Sequence, residues 1–365
     1  MSARVCAVAA AAVLAALVAG AAGCGKKPDA PGGAPAAASE EKGARTDQKK
    51  PSLSWNKYDS PADGFSIEFP PDWDRREGLV GSVVAAMSPQ EGPGDDFREN
   101  VNIIVTTKLP GWMGLKEFDD LNMKRMSQTL PGFTVIESGD VTLNGTPAKW
   151  HLYSARSPRA GEGDNHVLIY MMVKDRRGYV VTCFAKKDTM PRYRRTFERI
   201  VSTFRMEQRA AVPEREGPYV DREKKFSITF PKDWDVKENY MGRAVAGISL
   251  LEGPDDDFLE TVNIGIEDIA KDMTLDQYWD AALATMRRLM TGFVEGEKGG
   301  KTINGQGFKW MVYSFRTGQM KRTNLIYVTV KDGRAYVVTG TTIEGGLDKW
   351  RKTFEEIAAT FKVEN

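Results

Sequence analysis

One nine-residue phrase occurs twice in this chain. Residues 65–73 read FSIEFPPDW and residues 226–234 read FSITFPKDW, with seven of nine positions identical. Such a repeat duplicates either a chemical site or a fold, and its extent separates the two. EGPGDDFRENVNI (91–103) pairs with EGPDDDFLETVNI (252–264), and LNGTPAKWHLYS (143–154) with INGQGFKWMVYS (303–314). LIYMMVKDRRGYVVT (168–182) pairs with LIYVTVKDGRAYVVT (325–339), and RRTFERIVSTF (194–204) with RKTFEEIAATF (351–361). The offset drifts only from about 161 to 157, so the copies differ by small loop insertions. A whole domain is therefore duplicated. Domain one is assigned to 56–207 and domain two to 218–365, with the charged, Pro-containing stretch 208–217 as linker.

Within a copy, residue patterning predicts three strands, a helix, four strands and a closing helix. The strand cores FSIEF, VVAAM (83–87) and VNIIVTT (101–107) are rich in β-branched and aromatic residues and bounded by Pro, Gly and Asp. In FSIEF, Phe65, Ile67 and Phe69 form a buried face while Ser66 and Glu68 point outward. Pro70 and Pro231 then end ladder pairing, and Trp73 and Trp234 fold back as core anchors. The stretch 115–129 lines up Leu115, Phe118, Leu121, Met126 and Thr129 on one helical face, and copy two adds a capping box, Thr274 with Gln277. Asn144-Gly145 and Asn304-Gly305 each predict a tight hairpin, as do KDRRG and KDGR. The last helix turns Tyr193, Phe197, Ile200 and Phe204 inward, mirrored by Trp350, Phe354, Ile357 and Phe361. The expected class is α+β: two tandem α/β/α sandwich domains, each a mainly antiparallel sheet of about six to seven strands flanked by helices.

This order of motifs resembles the PsbP-like fold: the F-S-I-x-F-P-x-x-W opening, a strand pair, one helix, an Asn-Gly hairpin and an amphipathic closing helix. The resemblance spans nearly all of both copies, although the tandem arrangement differs from single-domain members. It implies a non-catalytic binding or assembly role. That fold occurs in an extrinsic oxygen-evolving-complex subunit, in a Ran-binding release factor and in bacterial lipoproteins. Histidines associated with metal in photosynthetic members have no match here, so no metal site or cofactor is carried over.

The first 24 residues form an address. Arg4 precedes an apolar run from Val5 to Val18, and small residues follow up to Cys24. The ending AAGC resembles the lipobox of bacterial lipoproteins, with Ala21 where Leu is usual, and makes Cys24 the expected lipidation site. The competing reading is ordinary signal cleavage at an Ala-x-Ala site. Residues 25–55 are rich in Ala, Pro, Gly and charge, which predicts a disordered tether with a span of roughly 30 Å. The chain is thus expected to be exported and lipid-anchored. In a Gram-negative cell, Gly25 after the cysteine directs it to the outer membrane, facing the periplasm.

Composition narrows the chemistry. The net charge is +1, which supplies no global field toward nucleic acid, and export makes such a partner unexpected. There are three cysteines, two of them in the leader, so Cys183 has no intrachain partner and reads as a small buried residue. His151 and His166, the only histidines, align with Met311 and Thr323 and read as strand-face residues. No Ser/His/Asp or Cys/His set recurs between copies. Asp95 and Asp96, matched by Asp256 and Asp257, follow a Gly-Pro turn and are a candidate cation or partner loop, although they lack the spacing of a dedicated calcium loop. The bland alternative is a solvated turn anchored by Phe97 and Phe258. Lys186, Lys187, Arg192, Arg194, Arg195 and Arg199 make the end of copy one basic, either as an electrostatic patch or as a solvated helix face.

The leading expectation is a non-catalytic, membrane-anchored envelope lipoprotein serving as a platform for an envelope protein partner. A second is a small-ligand or metal-binding protein using the interdomain cleft or the acidic loops. A hydrolase comes third, with no repeated nucleophile–base pair to support it.

Overall fold

The proline that ends the first strand of the opening phrase in each copy, Pro70 or Pro231, also divides two sheets. The computed structural model describes residues 54–93, 95, 97–156, 164–208 and 217–364. Cys24, the leader, most of the tether, Asp96 and most of the interdomain linker lie outside them.

Domain one runs β1 (Asn56–Ser60), β2 (Phe65–Phe69), β3 (Asp74–Glu77), β4 (Val84–Met87), β5 (Asn100–Thr106), α1 (Leu115–Thr129), β6 (Thr134–Leu143), β7 (Thr146–Arg156), β8 (Asp164–Lys174), β9 (Arg177–Lys186), α2 (Met190–Ser202) and β10 (Arg205–Met206). Domain two repeats this as β11 (Tyr219–Asp221), β12 (Phe226–Ile228), β13 (Asp235–Glu238), β14 (Val245–Ile248), β15 (Thr261–Asp268), α3 (Leu275–Leu289), β16 (Val294–Ile303), β17 (Gln306–Thr317), β18 (Met320–Lys331), β19 (Arg334–Ile343), α4 (Leu347–Ala359) and β20 (Lys362–Val363). Each domain has a seven-stranded antiparallel sheet, ordered β3-β4-β5-β9-β8-β7-β6 and β13-β14-β15-β19-β18-β17-β16. Each also has a small three-stranded sheet, β1-β2-β10 and β11-β12-β20.

Five strands precede the first helix where the sequence reading expects three. The additional β1 and β3 are short and polar, with no apolar alternation to reveal them. FSIEF is likewise not part of the large sheet. It is the middle strand of the small one, because the chain turns at Pro70 before β3 joins the main ladder. This placement overturns the expected outward exposure of Ser66. Lying between β1 and β10, Ser66 is buried and donates its hydroxyl to Glu207 Oε1 at 2.7 Å. Ser227 does the same to Glu364 at 2.6 Å.

The helices cover opposite faces of each large sheet. The α1 helix packs on β7 and β8, whereas α2 packs on β9 and β2. Phe65, Phe69, Trp73, Phe197 and Phe204 fill the α2 side of domain one. Burying each such side chain stabilises the fold by about 1.5–3 kcal/mol. Phe65 stacks on Phe204, and Trp73 meets Phe197 edge-on. The α1 side buries Phe118, Tyr153, Val167, Met171 and Phe184. Asn144-Gly145 and Asn304-Gly305 sit at positive φ, and both Asn side chains donate to backbone carbonyls at the end of the closing helix. The capping box on α3 forms as read, with Gln277 N–H donating to Thr274 Oγ1 at 3.2 Å. Among the described residues no helix is long and apolar enough to cross a membrane.

Candidate functional site

The two domains meet along the C-terminal half of α1, the end of β5 and a one-turn 3-10 segment in each copy. Lys108 Nζ donates to the carbonyls of Lys232 and Trp234 at 2.8 and 3.0 Å. Lys237 Nζ returns a bond to the Val105 carbonyl at 3.1 Å. Arg125 Nε donates to the Asp257 carbonyl at 2.7 Å, and Lys124 pairs with the Asp257 carboxylate at 2.5 Å. Gly81 abuts the Tyr240 ring so closely that a Cβ would lie 2.9 Å from it, and its φ of +85° favours glycine as well. The glycine belongs to Leu79–Gly81 and the tyrosine to Tyr240–Gly242, the two 3-10 segments.

Behind this contact lies a cavity of about 430 Å³, within the range of roughly 300–1,000 Å³ common for small-molecule sites. Its floor is the α3 face of the domain-two sheet. Its roof is α3 itself, with Trp279, Ala282 and Met286, and domain one closes one side with Leu121, Arg125 and Met126. Among the described residues, six buried side-chain polar atoms find no hydrogen-bond partner. Five belong to residues lining this cavity: Arg125 Nη2, Asn263 Oδ1, Glu267 Oε1, Arg322 Nε and Asn324 Oδ1. Such atoms are scarce in folded proteins because each costs about 1–3 kcal/mol. Their convergence sets polar groups at defined points of a largely apolar wall.

Two groups of charge face the cavity. At one end Arg322 is only 6% exposed, and no carboxylate is among the groups that act on its charge. Its guanidinium lies 5.6 Å from the Phe258 ring centroid. Burial, together with the like charge of Arg125, pulls its pKa down to about 10. Burial also lowers Arg125. The Tyr240 hydroxyl feels both cations, although burial dominates and raises it. At the other end burial raises the Glu267 carboxyl, offset by a hydrogen bond from Tyr278 and the charge of Arg243. Between them Asn324, 5% exposed, donates Nδ2 to the Tyr313 hydroxyl at 2.8 Å.

Copy one provides an internal control. Strand register makes Val167 the counterpart of Asn324, since they pair with Tyr153 and Tyr313 respectively, and Phe184 the counterpart of Thr341. Thr106 stands where copy two has Glu267, and Asn165 where it has Arg322. In copy one Val167 and Phe184 belong to the packed apolar cluster under α1, with the Phe118 ring pressed on Gly178. Copy two substitutes polar residues in that layer and opens it. These residues escape a reading that looks for chemistry in what the copies share. The available signal is the opposite one: apolar core positions in one copy that turn polar in the other.

The residues singled out from the sequence fall elsewhere. Asp95 and Asp256 close equivalent loops on themselves, accepting from the backbone of Glu91 and Phe97 and of Glu252 and Phe258. Asp257 is spent on the interdomain pair with Lys124. Among the described residues no group of three or more His, Cys, Asp or Glu is placed to hold a metal ion. Cys183 is fully buried, and burial pushes its thiol far up. His166 lies on β8, its pKa lowered by burial and then by Lys187. Arg192 pairs with Glu91, Arg194 with Glu137 and Glu198, and Arg199 covers Trp55, so much of the basic end of copy one is partnered.

His151 forms a set the sequence did not reveal. Its Nδ1 lies 3.0 Å from Ser138 Oγ and its Nε2 2.8 Å from buried Asp119. The Ser138–His151 contact is a cross-strand pair on exposed β6, and the interdomain cavity is lined by none of the three. Copy two replaces them with Lys298, Met311 and Trp279.

The fold and cavity define a tandem α/β/α sandwich protein with a largely apolar cavity, studded with unpaired polar groups, at the domain junction. The chain belongs to the PsbP family, whose sequence profile matches residues 54–206 and 216–363. Solved structures similar to it include the cyanobacterial PsbP of Synechocystis sp. PCC 6803, at 16% identity, covering 44% of this chain and 97% of that one with a TM-score of 0.34. LpqN of Mycobacterium tuberculosis, described as involved in cell envelope biogenesis, has 12% identity, covering 41% of this chain and 90% of that one with a TM-score of 0.32. The type VI secretion immunity protein TplEi of Pseudomonas aeruginosa has 11% identity, covering 85% and 97% with a TM-score of 0.25. No curated protein sequence matches the chain.

Proposed function

We propose that this protein is a non-catalytic binding protein that receives a small ligand in the interdomain cavity. One observation carries the reading: five unpartnered buried polar atoms, from both domains, surround a single space that copy one fills with Val167 and Phe184. A ligand that supplies their partners stabilises the folded protein by mass action. Native mass spectrometry of the full chain purified from cell envelopes tests this. The expected result is a co-purifying small molecule, lost in the double variant N324V/T341F, which rebuilds the copy-one layer. A protein that carries no adduct, and whose melting temperature responds to no compound in a broad envelope-metabolite set, refutes it.

Lipidation at Cys24, with the tether holding both domains near a bilayer, is part of the same proposal and rests on the leader sequence. Incorporation of labelled palmitate, abolished by C24S, is its check. A second reading, a platform for an envelope protein, is favoured by the exposed edge strands β6 and β16. Val135, Ile136 and Val294 lie uncovered near the start of these strands. Crosslinking from intact cells, with and without V135K/I136K, tests that surface independently of the cavity.

A further inference from the structure

The chemistry of the unpartnered atoms restricts the ligand. Two are donors, Arg322 Nε and Arg125 Nη2, contributed by different domains. Three are acceptors, Asn324 Oδ1, Asn263 Oδ1 and Glu267 Oε1. Asp257 and Asp256 offset part of the burial of Arg125, whereas no carboxylate acts on Arg322, so an anion placed between the two guanidinium groups supplies the missing compensation for Arg322 and relieves their mutual repulsion. The three oxygens require donors. Between Arg322 and Glu267 the walls set Asn324 and Asn263 among apolar side chains, Ile326, Val328 and Val337 from the sheet and Trp279 and Met286 from α3.

Register gives the length. Arg322 pairs with Ile343 and Glu267 with Ala335, on opposite sides of β19. Those positions are eight residues apart on that strand, or about 26 Å at about 3.3 Å per residue. Arg322, Asn324 and Ile326 alternate onto the same face of β18, so the polar end grades into the apolar floor along one strand. We propose that the cavity takes an elongated amphipathic molecule. Its single oxyanion, a carboxylate or phosphate, lies between Arg322 and Arg125, and a hydroxyl or N–H group farther along meets Asn263, Asn324 or Glu267. This assignment rests on the ligand-binding reading above and specifies its chemistry. Because Arg125 comes from domain one, the anion also fastens the two domains together.

Calorimetric titration of the ligand-stripped full chain tests the assignment. The probes are ω-hydroxydodecanoate and ω-hydroxydodecyl phosphate, which separate the two oxyanions, with dodecanediol as the uncharged control. At least one anion is expected to bind, with the diol about tenfold weaker or more. R322Q and R125Q should each weaken that anion by roughly tenfold to a hundredfold, the range for a lost charge-assisted bond. Two variants in different domains, each checked by circular dichroism, keep the test independent of one misfolded protein. Failure of both anions to bind overturns the assignment. So does equal binding of the diol, or unchanged affinity in both arginine variants. An adduct still present by native mass spectrometry and lost in N324V/T341F would then leave the cavity reading standing and only the ligand class wrong.

Discussion

Replacing Arg322 by methionine should make the ligand-free protein more stable. Arg322 is buried, its Nε has no acceptor, and burial brings its pKa from 12.5 to about 10. That fall corresponds to a cost of about 3 kcal/mol for holding the charged form inside the fold. Methionine keeps most of the stem volume and removes the charge. It forfeits the cation–π contact with Phe258, worth about 0.5–2 kcal/mol, and regains part of it through sulfur–aromatic contact. The net expectation is a gain of about 1–3 kcal/mol, in line with buried ionic groups replaced by apolar ones of similar size. For domains of this size 1 kcal/mol moves the midpoint by about 2–4 °C, so the domain-two transition should rise by about 2–12 °C. Differential scanning calorimetry on ligand-stripped protein reads this directly. The opposite result, a midpoint lowered by several degrees, would mean that Arg322 is a structural cation with a partner in the fold. Its charge would then serve the fold rather than a ligand.

Glu260 gives a pH test. Its buried carboxyl accepts from Thr342 Oγ1 at 3.1 Å and Ser249 Oγ at 3.3 Å, and burial raises its pKa above the ordinary 4.5. In the unfolded chain it ionises first, so the native state holds the extra proton between 4.5 and the raised value. Stability therefore falls as pH rises through that window and stays reduced above it. E260Q should flatten this part of the curve in urea titrations, and an unchanged slope counts against the assignment. At Gly178 a Cβ would lie 2.2 Å from the Phe118 ring. G178A should therefore cost about 1–3 kcal/mol or more by overpacking, although copy two carries Ala335 at the same register opposite Glu267. An unaltered urea midpoint would refute the contact.

The sequence determined the duplication, both helices of each copy, the hairpins and the sandwich class. These follow from local rules that any copy of the phrase must obey: alternation, 3.6-residue periodicity, Asn-Gly turns and proline stops. It also marked Phe197, Phe204, Phe354 and Phe361 as core, because burial of large apolar side chains is written in their spacing. Short polar strands such as β3 stayed illegible, since their pairing depends on neighbours rather than on their own residues. Ser66 differs for a related reason: alternation assigns a face, but only the flanking strands and Glu207 decide whether that face meets water. The cavity was beyond any local rule. Arg125 is separated from Arg322 by more than the length of a whole domain in sequence, and each alone reads as an ordinary surface charge. Only the docking of α1 against domain two buries them together. The same docking turns a handful of polar substitutions in the second copy into one site.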